Sequence, residues 1–250
     1  MASARKNVLS IAGFDPSAGA GLLADIKTFE QHKLNGLSVC TAITLQTENK
    51  FFSIKWESIN EVLQAVDVMQ KNYSIPVVKI GIVPSFDFLL DLVTRLKNNF
   101  SDVKIILDPI LKSSTGFDFK TNHSNEKLQT VLKNIFLITP NIQEAIFLTD
   151  AKNAENGAKE ISKYCNVFLK GGHSETALGV DYLFSEGEME TFQPSSKNSC
   201  PKHGSGCVLS AAIAANIALD MDLKTACANA KKYTEHFLSS NESLIGYHYV

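Results

Sequence analysis

Three glycines fall within nine residues in the run Gly13-Phe-Asp15-Pro-Ser17-Ala-Gly19-Ala-Gly21, directly after an apolar stretch and before a segment carrying Asp25 and Lys27. Such a run lets a backbone turn sharply and approach a ligand closely. Gly19-Ala-Gly21-Leu-Leu-Ala24 fits the G-x-G-x-x-A pattern of a dinucleotide site. The spacing argues against that use. In a dinucleotide site the glycines follow their strand at once, whereas six residues separate Ala12 from Gly19, and no acidic residue closes the second strand. A flexible turn is the plainer alternative.

His203-Gly204-Ser205-Gly206-Cys207 opens an Ala-rich segment. Two glycines at a helix start leave backbone N–H groups pointing outward beside the positive end of the helix dipole, which suits an anion such as phosphate. The same field is expected to lower the pKa of Cys207 and make it a usable base or nucleophile. A plain Gly-rich cap with a buried thiol is the other reading. Asp108-Pro109 and Thr139-Pro140-Asn141-Ile-Gln-Glu144 each follow an apolar run. Their oxygens stand where open α/β sheets bind ligands and would suit Mg²⁺, although Asn141 and Glu144 could simply cap a helix. Lys170-Gly171-Gly172-His173 places a lysine where it could meet nucleotide phosphates, or leaves it solvated on a turn. No G-x-x-x-x-G-K-[ST] occurs, which excludes a P-loop enzyme, and the cysteines and histidines lack zinc-site spacing.

Several short apolar runs are continuous rather than alternating: Val8 to Ile11, Val77 to Ile80, Ile105 to Leu107, Ile135 to Ile138 and Val167 to Leu169. Strands covered by helices on both faces have this pattern. Helix-period segments lie between them, at Leu22 to His32, Ile59 to Met69, Phe86 to Leu96 and Ala145 to Leu148. Strand and helix alternate, so a mostly parallel sheet is expected. Ser58 with Glu61 forms a capping-box pattern, and Asn141 with Glu144 a near relative of one. Phe51 to Trp56, and Ala177 to Phe192 with a turn at Gly187, read as antiparallel pieces at an edge or over a site. Two Ala-rich helices, roughly Ser205 to Leu219 and Leu223 to Leu238, close the chain.

At 250 residues, with 44% hydrophobic and 20% charged residues, the composition is that of a globular protein and shows no break between domains. One domain over residues 1–250 is expected. A formal net charge of −2 argues against a general affinity for nucleic acid. No stretch approaches the ~18 apolar residues of a membrane helix, and Val8 to Ala12 is too short for a signal core. Five scattered cysteines without a C-x-x-C pair read as reduced thiols, and a cytoplasmic location is expected.

Taken in order, these segments resemble the hydroxymethylpyrimidine and phosphomethylpyrimidine kinases of thiamine biosynthesis, within the ribokinase-like superfamily. The resemblance covers almost the whole chain. It rests on Ile11 to Thr28, Thr41-Ala-Ile-Thr-Leu-Gln46, Lys79-Ile-Gly81, Asp108-Pro109, Thr139 to Ala145, Lys170 to His173 and Gly204-Ser-Gly-Cys207. It implies a three-layer α/β/α sandwich around a mostly parallel sheet, with a small lid or edge segment. It also implies a kinase that uses ATP and Mg²⁺ to phosphorylate 4-amino-5-hydroxymethyl-2-methylpyrimidine and its monophosphate. By the same resemblance Gly13, Asp25 and Gln46 hold the pyrimidine, with Ile82 and Ile110 lining its pocket. Cys207 is the catalytic cysteine, and Gly204, Ser205 and Gly206 form the anion hole. Asp108 and Glu144 serve the metal, and Lys170, Gly172 and Asn141 the nucleotide. A homodimer is implied as well.

The chain departs from the family pattern in places. Phe14 stands where relatives have Ser or Thr, Ala18 replaces a glycine, and Thr47-Glu48-Asn49 follows Gln46 in place of Asn-Thr. The approach Lys197 to His203 is about two residues longer than the family's, and the Gly-rich tail is missing. A pyridoxal kinase of the same superfamily is the alternative, and a non-catalytic vitamin-binding protein of this fold a further one. A cysteine hydrolase is disfavoured, because His203 is only four residues from Cys207 and no segment resembles a nucleophile elbow.

Overall fold

The structure, a computed structural model, describes residues 5–100, 102–110, 124–172, 178–195 and 200–249. The expected sites at His173 and Ala177 and the segment 197–199 lie outside them. Each apolar run becomes a strand of one nine-stranded sheet: β1 (Asn7–Phe14), β2 (Asn35–Gln46), β3 (Phe51–Trp56), β4 (Val77–Ile80), β5 (Lys104–Leu107), β6 (Leu137–Ile138), β7 (Asn166–Leu169), β8 (Asp181–Ser185) and β9 (Glu188–Phe192). The strand order is β3-β2-β1-β4-β5-β6-β7-β8-β9. The six strands β2, β1, β4, β5, β6 and β7 run parallel, while β3 at one edge and β8 and β9 at the other make antiparallel pairs. The two segments expected to be antiparallel edges are those edges.

Eight helices cover both faces of the sheet among the described residues: α1 (Gly21–Gln31), α2 (Ile59–Asn72), α3 (Phe86–Asn99), α4 (Asn125–Leu132), α5 (Ile142–Thr149), α6 (Ala154–Ile161), α7 (Ser205–Ala218) and α8 (Leu223–Ser239). Neighbouring strand residues divide between two cores, which is why the strands read as unbroken apolar runs. Leu9, Ile80, Ile105 and Val167 pack with α2 to α6, whereas Val8, Val77, Ile106 and Phe168 pack with α1, α7 and α8. The result is the expected three-layer α/β/α sandwich. Helix α7 lies in the middle of its layer; from Cys207 to Ala218 every residue is buried, so it carries no polar face.

Four elements differ from the sequence reading. β2 has twelve residues and was not read as a strand, because Gly36, Ser38, Cys40 and Thr41 interrupt its apolar character. α4 and α6 bury only three residues each and are otherwise polar, which leaves little periodic signal. β6 is shorter than the run Ile135 to Ile138 and keeps only Leu137 and Ile138 in regular pairing.

Candidate active site

The ends of β1, β4, β5, β6 and β7 point the same way, and the loops that follow them gather at one edge of the sheet. Backbone bonds extend the ladder into those loops: Gly81 N–H to Ile11 O, Asp108 N–H to Ile80 O, Thr139 N–H to Leu107 O and Lys170 N–H to Pro140 O, all at 2.8–2.9 Å. The loops therefore inherit the spacing of the strands. Helices α1 and α7 start at the same place. Their N-terminal turns differ chemically from those of the other six helices, each of which has a Ser, Asn or Asp side chain accepting a backbone N–H. The caps of α1 and α7, Ala20 and Gly204, have no side-chain bond. Such ends leave their N–H groups to other partners, an anion among them.

The two glycine loops are locked together. Gly204 has φ +75°, and a Cβ there would come within 2.0 Å of Gly19 O. Only glycine fits both the left-handed conformation and the contact. Asp15 organises the first loop by accepting from Ser17 N and Oγ and from Ala20 N, at 2.8–2.9 Å, and it meets His203 Nε2 at 2.8 Å. Burial opposes the charge on Asp15, but the bonds from His203 and Ser17 outweigh it and hold the carboxyl below its ordinary value. A C-terminal strap supports the pair of loops from behind: His203 N–H donates to Leu244 O at 2.9 Å, and Ile245 packs against Gly19.

Beneath the junction lies Asp25. Its carboxylate is fully buried and accepts from Lys79 Nζ at 2.9 and 3.0 Å and from Ser10 Oγ at 2.5 Å. Asp25, expected to hold the pyrimidine, has its oxygens turned to a buried ammonium. Burial works against the charge on Lys79, yet Asp25 holds that ammonium above its ordinary value. Cys207 stands in the first turn of α7, buried, with the backbone N–H of Gly21 directed to it. Here the expected fall in pKa is reversed. Burial pushes the thiol up to about 11, and Lys79 offsets only part of that, so the helix field does not produce a thiolate at neutral pH.

On the other side of Cys207, Lys170 Nζ bonds Asp108 at 2.8 Å and lies 3.8 Å from Glu144. The same ammonium is 3.6 Å from the position a Gly206 Cβ would take, so it reaches the start of α7. Asp108 also accepts from Thr139 and Ser210, both at 3.2 Å. Asp108 and Glu144 work against the burial of Lys170 and hold its pKa above the ordinary value. Asn141 and Glu144 form a complete capping box on α5, with bonds of 2.7 and 2.9 Å. The helix-capping reading of these two residues thus holds, and it brings Glu144 to Lys170.

The apolar positions separate. Gly13 lies against Ile82, whose carbonyl accepts from Thr41 Oγ at 2.7 Å. Ile110 lines an apolar pocket with Gly81, Phe86, Leu107 and Pro109 at the ends of β4 and β5. Gln46 is half-buried on the β2–β3 hairpin, three residues beyond Ile43, the partner of Phe14. At ~3.3 Å per residue that places it about 10 Å past the end of β1. Gly172 follows Lys170 and Gly171 at the end of β7, with open space around it.

Sequence reasoning brought Cys207, Gly204, Ser205, Gly206, Lys170, Asp108 and Glu144 together but assigned no role to Lys79, Asp15, His203 or Ser210. Asp15-x-Ser17 is the pattern of a side chain capping its own turn and was a usable signal. Lys79, inside an apolar run, gave none beyond its position.

Among the described residues no group of three or more His, Cys, Asp or Glu is arranged to hold a metal. Mg²⁺ does not need one, since it binds through one or two carboxylates, water and phosphate oxygens. Asp108 and Glu144, sharing one lysine beside a helix N-terminus, fit that chemistry.

The phosphomethylpyrimidine kinase family model matches residues 15–249. A hydroxymethylpyrimidine/phosphomethylpyrimidine kinase of Aquifex aeolicus is 31% identical over 245 residues, covering 94% of this chain and 95% of the relative. A crystal structure of phosphomethylpyrimidine kinase from Clostridium difficile superposes with a TM-score of 0.78 at 29% identity, covering 92% of this chain and 98% of the other. An ADP complex of Bacillus subtilis pyridoxal kinase superposes with a TM-score of 0.81 at 23% identity, covering 94% of this chain and 92% of that one, and so shares the fold.

Proposed function

The chain belongs to the phosphomethylpyrimidine kinase family, and from that membership we propose that residues 1–250 act as one kinase domain that phosphorylates 4-amino-5-hydroxymethyl-2-methylpyrimidine, and then its monophosphate, with MgATP in thiamine biosynthesis. The observation that carries the reading is the junction of the two glycine loops. It sets an uncapped helix start, Cys207 and Lys170 around one point at the ends of the parallel strands.

The pyrimidine would lie between Gly13 and Ile82 on one side and Ile110 on the other, with Gln46 on the hairpin above supplying amide donors and acceptors. The hydroxymethyl oxygen would face Cys207. With its pKa near 11 the thiol is neutral at pH 7, so Cys207 orients that oxygen as a hydrogen-bond acceptor and is not a resting thiolate. Phosphoryl transfer leaves little covalent work to the protein, and the hydroxyl proton need not leave early. Positioning and charge neutralisation then dominate, through the N–H groups of Ser205 to Cys207 and the Lys170 ammonium. Lys170, with Gly172 and Asn141 beside it, would hold the ATP phosphates. Mg²⁺, held through Asp108 and Glu144, would neutralise phosphate charge.

Two copies of the chain would cover the exposed β2–β3 hairpin, whose Ile43, Leu45 and Phe52 are 48%, 60% and 53% accessible. The test of the activity is ADP release by the purified protein with MgATP and, separately, hydroxymethylpyrimidine, its monophosphate and pyridoxal. Turnover of both pyrimidines is expected. Preference for pyridoxal would overturn the substrate assignment, and silence with all three would overturn catalysis.

A further inference from the structure

Lys170 is a charge on a flexible four-carbon stem, so where its ammonium sits depends on how firmly its backbone is held. β7 ends at Leu169, and the next turn is gripped from outside the site. Gly171 N–H donates to Asp181 Oδ1 at 2.8 Å, and Gly171 O accepts from Gly179 N at 3.0 Å. The carbonyl of Val180 comes within 1.8 Å of the place a Gly171 Cβ would occupy, so the two backbones touch with no side chain between them. Asp181 is itself held: its other oxygen accepts from Lys231 Nζ of α8 at 2.7 Å. Lys231 also donates to Gly179 O at 2.6 Å and lies 3.6 Å from Glu235. Both side chains of the Asp181–Lys231 pair are only 9% exposed.

A buried ion pair is weak evidence of added stability, since apolar side chains of the same size often serve as well. What distinguishes this pair is where its polar atoms go. One partner takes the N–H of Gly171 and the other the carbonyl of Gly179, so together they fix both ends of the segment joining β7 to β8. From there the geometry points to Asp181 and Lys231 as positioning residues that set the height of Lys170, and through it the ATP phosphates, without touching either ligand. The inference rests on the kinase reading and deepens it, by placing part of the nucleotide-binding control in α8.

The test is a pair of double variants. Asp181→Leu with Lys231→Met removes both charges together and leaves neither buried alone; Asp181→Asn with Lys231→Met restores an oxygen that can accept from Gly171 N–H. The Leu/Met variant is expected to raise KM for ATP about tenfold while KM for the pyrimidine stays within about twofold, as for loss of a hydrogen bond to a charged group. The Asn/Met variant is expected to recover most of that loss. Adding Lys170→Met to the Leu/Met variant should cost little beyond Lys170→Met alone, because the two changes act on one contact. An ATP KM within twofold of wild type in the folded Leu/Met variant, or additive effects with Lys170→Met, overturns the proposal even if thermal stability falls. Should the Leu/Met chain not fold, Asp181→Ala with Lys231→Gln, which likewise leaves Gly171 N–H without its carboxylate acceptor, is put through the same cycle with Lys170→Met, where an ATP KM within twofold of wild type or additive effects again overturns it. MgADP affinity, measured by calorimetry on each variant, keeps the premise separate. A wild type that binds MgADP without phosphorylating pyrimidine refutes the pyrimidine assignment, while the ADP affinities still decide the role of Asp181.

Discussion

Cys207 illustrates how far a residue's surroundings can reverse the chemistry its sequence position suggests. At the start of a helix its thiol should be acidified, but α7 is buried along its length and desolvation wins, with the pKa near 11. Two outcomes follow for the proposed kinase. Between pH 6 and 9 the rate of the first phosphorylation should show no slope attributable to Cys207; a rise of about tenfold per pH unit would identify a thiolate base instead. Cys207→Ala should slow phosphorylation of the hydroxymethyl substrate up to about tenfold, as for loss of one hydrogen bond, and that of the monophosphate far less, since the attacking phosphate oxygen carries no hydroxyl proton for the sulfur to accept. Equal losses on both substrates would make Cys207 a packing residue. Ala18 is a second case at this scale. It occupies the left-handed region at φ 58°, inside the loop that Asp15 organises, where its resemblance to the family expects glycine. A Cβ in that conformation costs about 1–2 kcal/mol, partly offset by the stiffer unfolded chain. Ala18→Gly should therefore raise stability by about 1 kcal/mol, seen as a Tm increase of roughly 2–4 °C by calorimetry.

Among the elements, those the sequence announced were the ones whose patterns depend on their own residues. The β-runs of the parallel sheet and the capping box Ser58–Glu61 are local, and all are present. β2 was missed because its burial is set by β1 and β3 on either side, and its polar residues only make sense once Thr44 Oγ is seen bonding Phe14 O at 2.9 Å. The site divides in the same way. Gly204 to Cys207 and Lys170 could be picked out from local spacing, whereas the Lys79–Asp25 pair joins residues 54 positions apart and shows only when β4 and α1 are packed. α5 carries the prediction that belongs here. Its capping box both starts the helix and turns Glu144 towards Lys170, so Asn141→Ala should destabilise the fold by about 1 kcal/mol. It should also weaken MgATP binding, because Glu144 N–H loses the Asn141 Oδ1 that fixes the helical turn from which its carboxylate faces Lys170. Denaturant titration and a nucleotide-binding measurement on the same variant check the two effects; a stability loss with unchanged binding would confine Asn141 to capping.

At the scale of the molecule, helices cover both faces of the sheet, while the hairpin of β2 and β3 at its edge leaves Ile43, Leu45 and Phe52 exposed as an apolar stretch. Leu45→Glu puts a charge in the middle of that stretch without touching either core. Sedimentation should show wild-type dimers and Leu45→Glu monomers, and a wild type that remains monomeric at tens of micromolar would refute the proposed assembly. The C-terminal strap bears on how such a protein is made. Gly13 to Gly21 leave the ribosome about 180 residues before their partners His203 and Gly204, and the supporting Leu244 and Ile245 follow later still. At about 5–20 residues per second, on the order of ten seconds or more pass between them. For that interval the nascent chain can build most of its sheet and yet has no place for a phosphate. A chain stalled before His203 would thus hold the first glycine loop without the partner that locks it, and would lack the proposed phosphate site however complete its sheet.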